Sequence, residues 1–202
     1  YLVVHDDELR DCPSGKQAYK KNSFGCFYTR TTGIWQNVWI ERTPNLHIKQ
    51  LHFCPSVKEQ SVTVKMLTNA CAQCDIKVFY ENRLMGEYHG EVDYFGDIKI
   101  GLKEKHLWKI GNGRLYDVVA TFGTDSVSSY FGLREVAYQG YDFLLNGETV
   151  FQKLVLDQGY YPDGVYTAPD IDAMEKDIRI ALDVGFNGAR LHQKVFEPRF
   201  LY

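Results

Sequence analysis

The chain has 202 residues, 45% of them hydrophobic, with 23 Lys and Arg against 26 Asp and Glu for a net charge of −3. That length holds one large domain or two small ones, and the apolar share supports a buried core rather than a disordered tail. Dispersed, balanced charge gives no footprint for nucleic acid, and no apolar run approaches the ~20 residues of a membrane helix, so neither partner is expected.

The chain opens on the apolar run Tyr1-Leu2-Val3-Val4 rather than on Met, so the protein's own N-terminus is expected elsewhere. The 5 cysteines, Cys12, Cys26, Cys54, Cys71 and Cys74, are odd in number, which argues against a dense disulfide framework. Reduced thiols and a cytoplasmic setting are favoured, with the compartment otherwise open. Cys71-Ala-Gln-Cys74 has the C-x-x-C spacing, but no second pair follows at zinc-ribbon distance. It reads as a plain loop pair, and no metal site is expected.

The first two-thirds are strand-like. Residues 37–42, 46–53, 61–67, 75–81, 96–102, 115–123 and 127–136 are short, rich in β-branched and aromatic residues, and several alternate with period 2. Turn signals such as Asn112-Gly113 separate them. Seven or so strands at this spacing predict an immunoglobulin-type β-sandwich over roughly 45–128, close to the ~100 residues such domains take.

Further on, Asn146-Gly147 between two apolar runs is a strong hairpin signal. Residues 153–156 read as a strand, followed by a loop rich in Gly, Tyr and Pro. Residues 167–186 read as a helix: Thr167 with Asp170 fits a capping box, Pro169 suits the first turn, and Ile171, Met174, Ile178 and Leu182 form one face. Gly185 suits the position just past its end. Residues 187–191 read as a second strand, making a βαβ unit of 151–192. Parallel strands are normally covered on both faces by further units, so the fold is expected to continue past this chain.

Three stretches, FYTRTTGIWQNVWIE at 27–41, HLWKIGNGRLYDVVATF at 106–122, and YFGLREV with LVLDQGYYPDG and ALDVGFNGARLHQKV between 130 and 195, together resemble glycoside hydrolase family 2. They look like the end of its N-terminal sugar-binding sandwich, the end of its immunoglobulin-like domain and the opening of its catalytic barrel, in the family's order. The resemblance implies a mainly β fold. Residues 1–43 would be the C-terminal part of a jelly-roll sugar-binding β-sandwich. Residues 44–128 would be an immunoglobulin-like β-sandwich, and 129–202 the first βαβ unit of a (β/α)8 TIM barrel. It also implies a carbohydrate substrate and no cofactor, and it allows an oligomer.

The family comprises β-galactosidases, β-glucuronidases and β-mannosidases, which cleave terminal β-linked sugars with retention. That chemistry needs two carboxylates ~5–5.5 Å apart. In the family both are glutamates on later barrel strands, so no catalytic residue is expected here and the chain alone is expected to be inactive. Glu135, Glu148, Glu175 and Glu197 read as surface residues of hairpin, helix and loop. A rival expectation, of a different class, is a non-catalytic carbohydrate-binding or scaffold module.

Barrel enzymes place their sites at the C-terminal ends of the strands. At the first end, Asp157 and Gln158 are candidates to hydrogen-bond sugar hydroxyls, and Tyr160 and Tyr161 to stack on a sugar face; the alternative is a folded loop with packed tyrosines. At the second, Arg190 and His192 are two apart and point to one face of a strand. Asn187 and Arg190 match the family's Asn-x-x-Arg, and the resemblance puts Arg190 near the nucleophilic glutamate. His192 stands in a small-residue place, where a structural histidine is the alternative, and Gln193-Lys194-Val195 replace His-Tyr-Pro. For 27–41 the favoured reading is packing: an edge strand through Thr29, Thr31 and Thr32, with Trp35 and Trp39 between domains.

Overall fold

A computed structural model describes residues 1–5 and 13–202, so Cys12 lies outside the described residues. The chain divides into two units, Glu41–Phe151 and a second made of Tyr1–Ile40 with Gln152–Tyr202.

The first unit is a β-sandwich. Its strands are β1 (Ile48–Ser56), β2 (Ser61–Thr68), β3 (Ala72–Tyr80), β4 (Arg83–Val92), β5 (Phe95–Gly101), β6 (Leu115–Phe122) and β7 (Asp125–Gly132). They form two antiparallel sheets, ordered β1-β2-β5 and β4-β3-β6-β7. The inward residues alternate as a pleated strand dictates: Val62, Val64 and Met66 on β2, Ile76 and Val78 on β3, Tyr116, Val118, Ala120 and Phe122 on β6. Both sheets feed one core. Tyr116, at the start of β6, is fully buried, and its hydroxyl closes the bend from β5. It donates to the Glu104 carbonyl and accepts from the His106 N–H, both at 2.8 Å, a tyrosine corner of the kind such sandwiches carry.

The structure departs from the sequence reading at several places. Residues 37–42 form no strand. The seventh strand is instead β4, whose glycines break the alternation. A Cβ on Gly86 would strike the Gly101 carbonyl and the Ile100 side chain, so the absent side chain lets β4 approach β5. The turn before β6 is centred on Ile110-Gly111, closed by paired bonds between Lys109 and Asn112, with Gly111 at φ +72°; Asn112 is its last residue, not its first.

The small sheet β8 (Val136–Gln139), β9 (Asp142–Leu145) and β10 (Glu148–Thr149) completes this unit. The Asn146-Gly147 hairpin forms as predicted, with φ +53° and +81°. The Asn146 side chain also accepts from the Glu135 N–H and donates to the Trp108 carbonyl.

The second unit contains β11 (Leu154–Asp157), α1 (Ile171–Asp183), β12 (Gly188–Leu191) and the short α2 (Pro198–Leu201). β11 and β12 pair in parallel, as the βαβ reading required. The N-cap of α1 is Asp170, whose carboxylate accepts from the Ala173 N–H at 2.8 Å; Thr167 stands outside the helix and donates to the Trp35 carbonyl. Gly185 takes φ +91° just past the end, as expected. Thr29, Thr31 and Thr32 form no edge strand. The Gln17 side chain instead accepts from both the Thr31 N–H and hydroxyl, taking the groups a strand would have paired. Trp35 packs edge-on to Tyr166, whereas Trp39 is 73% exposed.

Tyr116→Phe removes one hydroxyl and leaves a backbone donor and acceptor unpaired beside the core. It should cost ~1–3 kcal/mol in chemical denaturation. A loss too small to measure would mean the corner does not hold the bend.

Candidate functional site

The ends of β11 and β12 lie side by side. Leu156 is the register partner of Arg190 and Asp157 of Leu191, and the His192 N–H donates to the Asp157 carbonyl at 2.8 Å, carrying the pairing one residue further. Alternation then sorts the side chains. Val155, Asp157 and Ala189 face α1, where they line a cavity of about 160 Å³ with Asp177, Ile178 and Phe200. Leu156, Arg190 and, beyond the strands, Gln158 and His192 lie on the other face.

The four candidate residues therefore separate. Asp157 accepts from the Gly159 N–H at 2.8 Å, closing the turn after the strand. Burial raises its carboxyl above the usual range, partly offset by that N–H, with the Asp177 charge adding to the rise. Arg190 is exposed and makes no ion pair among the described residues. His192 is half-buried; burial and then the Arg190 and Lys16 charges lower its pKa, which favours a neutral imidazole near pH 7.

Three buried side-chain polar atoms find no hydrogen-bond partner among the described residues: Gln158 Oε1, Tyr160 Oη and His192 Nδ1. All three lie just past the ends of β11 and β12. Buried polar atoms are normally paired, so such a cluster marks a place that takes a polar partner. The Tyr160 ring is packed, stacked on Tyr28 with centroids 3.9 Å apart and edge-on to Tyr166, so only its hydroxyl is offered. Tyr161 turns away and bridges to Val165.

Sequence reasoning missed Lys194. Its ammonium donates to the carbonyls of Gly159 and Tyr166 and lies over the rings of Tyr166 at 4.5 Å, Phe196 at 5.3 Å and Trp35 at 5.4 Å. Burial lowers its pKa, opposed by Asp157 and Glu197. No local signal in the sequence announces this, because its partners come from three separate stretches. Beside it runs a groove of about 900 Å³, lined by Gln17, Thr31, Trp35, Tyr166 and Gln193 among others, within the ~300–1,000 Å³ usual for ligand pockets.

One expectation about the glutamates needs revision. Glu197 is 7% exposed and paired with Arg199 at 2.8 Å, not a surface loop residue. Glu135, Glu148 and Glu175 are exposed, as expected. Cys71 donates to the Glu91 carboxylate, and that bond pushes its thiol up to about 11; burial does the same to Cys74. Neither is an activated thiolate. Among the described residues no group of His, Cys, Asp and Glu gathers to hold a metal ion, and no helix is long and apolar enough to cross a membrane.

Residues 46–134 match the family model described as Glycosyl hydrolases family 2. No curated protein matches the chain. Among solved structures, β-glucuronidase 3 of Bacteroides uniformis superposes with a TM-score of 0.69 at 22% identity, over 79% of this chain and 22% of that one. A Faecalibacterium prausnitzii β-glucuronidase gives 0.65 at 23% identity, over 74% and 24%. The β-galacturonidase of Eisenbergiella tayi, bound to galacturonate, gives 0.65 at 18% identity, over 78% and 30%. At these identities the likeness is one of fold, and the chain spans only a quarter or so of the structures it matches.

Asp157 offers a pH test of the geometry. Its folded pKa is raised, so ionisation costs stability: the cost is absent below the ordinary carboxylate pKa of ~3.9, grows as pH rises towards the folded value, and persists above it. Asp157→Asn keeps an acceptor for Gly159. It should melt higher than the parent at pH 7, with the difference shrinking towards zero as the pH falls below the ordinary carboxylate pKa. A lower melting temperature at pH 7 would mean the carboxylate is favourable where it sits.

Proposed function

We propose that the chain is part of a family 2 glycosyl hydrolase, and that the polypeptide carrying it is a glycosidase cleaving terminal β-linked sugars with retention. The match over residues 46–134 is the observation that carries this reading. Retention needs two carboxylates ~5–5.5 Å apart. Glu175 is paired with Arg179 and Glu197 with Arg199, and in this reading both catalytic carboxylates stand on later barrel strands. The part of this chain is then to bind and orient the sugar, not to attack it.

In this reading, the strand ends are the βα face of a barrel, with the immunoglobulin-like sandwich beside it in sequence. Gln158 Oε1 and His192 Nδ1 accept from sugar hydroxyls, the Tyr160 hydroxyl supplies a further contact, and each buried atom gains the partner it lacks. Asp157 shapes the turn and does not touch sugar. Arg190 supplies fixed positive charge on the open face, where a carboxylate of the reacting centre would be its partner. An acidic sugar is the first substrate to try. The similar structures include β-glucuronidases and a β-galacturonidase, and an unpaired guanidinium suits a carboxylate-rich site.

The test is a panel of nitrophenyl β-glycosides, uronides and neutral sugars together, against the full-length polypeptide. Turnover of at least one is expected, and none by a pure sample of the 202 residues alone. Arg190→Ala should cut kcat/KM by ~10²-fold or more, and Gln158→Ala or His192→Ala by ~10-fold or more, while Asp157→Asn stays near the parent. No turnover across the panel would sink the glycosidase reading. Near-normal rates for the Arg190, Gln158 and His192 variants would remove this face from the site.

A further inference from the structure

We propose that Lys194 is a positioning residue for the sugar site, resting on the reading above. It ties the loop after β11 to the loop after β12, and so fixes how far the Gln158, Tyr160 and His192 heads stand apart.

The backbone pairing of β11 with β12 ends at the His192 N–H to Asp157 carbonyl bond. Past that point the two chains diverge, and Gln158 and Tyr160 belong to one while His192 belongs to the other. Lys194 spans the gap. Its ammonium donates to Gly159 and Tyr166, the two ends of a loop lying 35 and 28 residues earlier in the chain. A charged donor on two carbonyls, among four aromatic rings, is a strong and directional crosslink.

The backbone on both sides is shaped for this contact. Gln193 takes φ +49°, a left-handed conformation that turns the chain just before Lys194. Gly159 takes φ +64°, and a Cβ there would meet the Phe196 ring at 2.7 Å and the Lys194 side chain at 3.1 Å. Inside the tied loop, Val165 sits at φ +52°, an unfavourable place for a β-branched residue. Such a conformation persists only where its surroundings over-determine it. The paired bonds between Tyr161 and Val165, both 2.9 Å, and the Lys194 bond to the next carbonyl are what hold it.

Lys194 differs from Gln158 and His192 in acting through others, so the decisive readouts are local order and non-additivity. In the full-length polypeptide, Lys194→Met should raise amide exchange across 159–166 by ~10-fold or more while leaving the β3 and β6 amides unchanged. It should also lower kcat/KM by ~10-fold or more, and that loss should shrink to under ~3-fold in a Gln158→Ala background. Lys194→Gln, which keeps a donor and drops the charge, gives the same measurements a second variant should Lys194→Met fail to fold. Its loss is expected to be smaller and likewise non-additive. Unchanged exchange in the loop overturns the tether. Losses of equal size in both backgrounds, or normal kinetics despite a loosened loop, overturn the positioning role. If the parent turns over no glycoside, the functional reading fails by itself, and the exchange experiment still decides whether the tether exists.

Discussion

The register of one short parallel pair governs the proposed site. With Leu156 beside Arg190, alternate residues divide between a face covered by α1 and a face left open. A slip of β12 by one residue against β11 would send Arg190 and His192 beneath the helix and bring Leu191 into the open. Four residues of pairing are little to fix this, and the ends do much of the holding. At the head, the Asn187 carbonyl oxygen of the side chain accepts from the Lys153 N–H while its own N–H donates to the Lys153 carbonyl. Next to it, a Cβ on Gly188 would meet the Leu154 side chain at 2.8 Å, so glycine lets the strands close there. At the tail stands the His192 to Asp157 bond. The Asn of the Asn-x-x-Arg pattern is thus a register clamp, and the Arg three residues on is placed by it.

The sandwich is stable by other means. Its strands are long, its core is contributed by both sheets, and its alternation is nearly unbroken on β2, β3 and β6. The βαβ unit by itself buries little: Met174 is the buried residue of α1, while Ile171, Ile178 and Leu182 are 42–54% exposed. Parallel strands ordinarily have both faces covered. The same contrast accounts for where the proposed site lies, since open strand ends with polar heads belong to the weakly covered unit and the saturated core to the other.

Legibility in the sequence followed locality. The hairpin at Asn146-Gly147, the glycine past α1 and the parallel pairing were readable because each is decided by a few neighbouring residues. β4 was not, because its Gly86 answers to the carbonyl of Gly101 on another strand. Residues 37–42 misled for the converse reason: β-branched and aromatic residues favour a strand only where a partner strand exists. Among the site residues, Arg190 and His192 share a face as the i, i+2 spacing demanded. Asp157 and Gln158, adjacent and both polar, were taken together, yet adjacency in a strand puts them on opposite faces. The turn after Asp157 consumes its carboxylate, and only the register says which face is which.

Residues 193–195 are where the chain leaves the family pattern, and they are also where the structure does something the pattern does not foretell. Gln193 turns left-handed, and its carbonyl reaches the space that the missing side chain of Gly15 leaves free. That turn carries Lys194 back over the loop it binds, while Val195 accepts from the Gln36 side chain. A stretch that looks degenerate as a motif is, in three dimensions, the meeting point of the 13–36 segment, the 159–166 loop and the end of β12. Arg190 stays where the Asn187 clamp puts it, and in the proposed reading the spacing of the polar heads depends on Lys194.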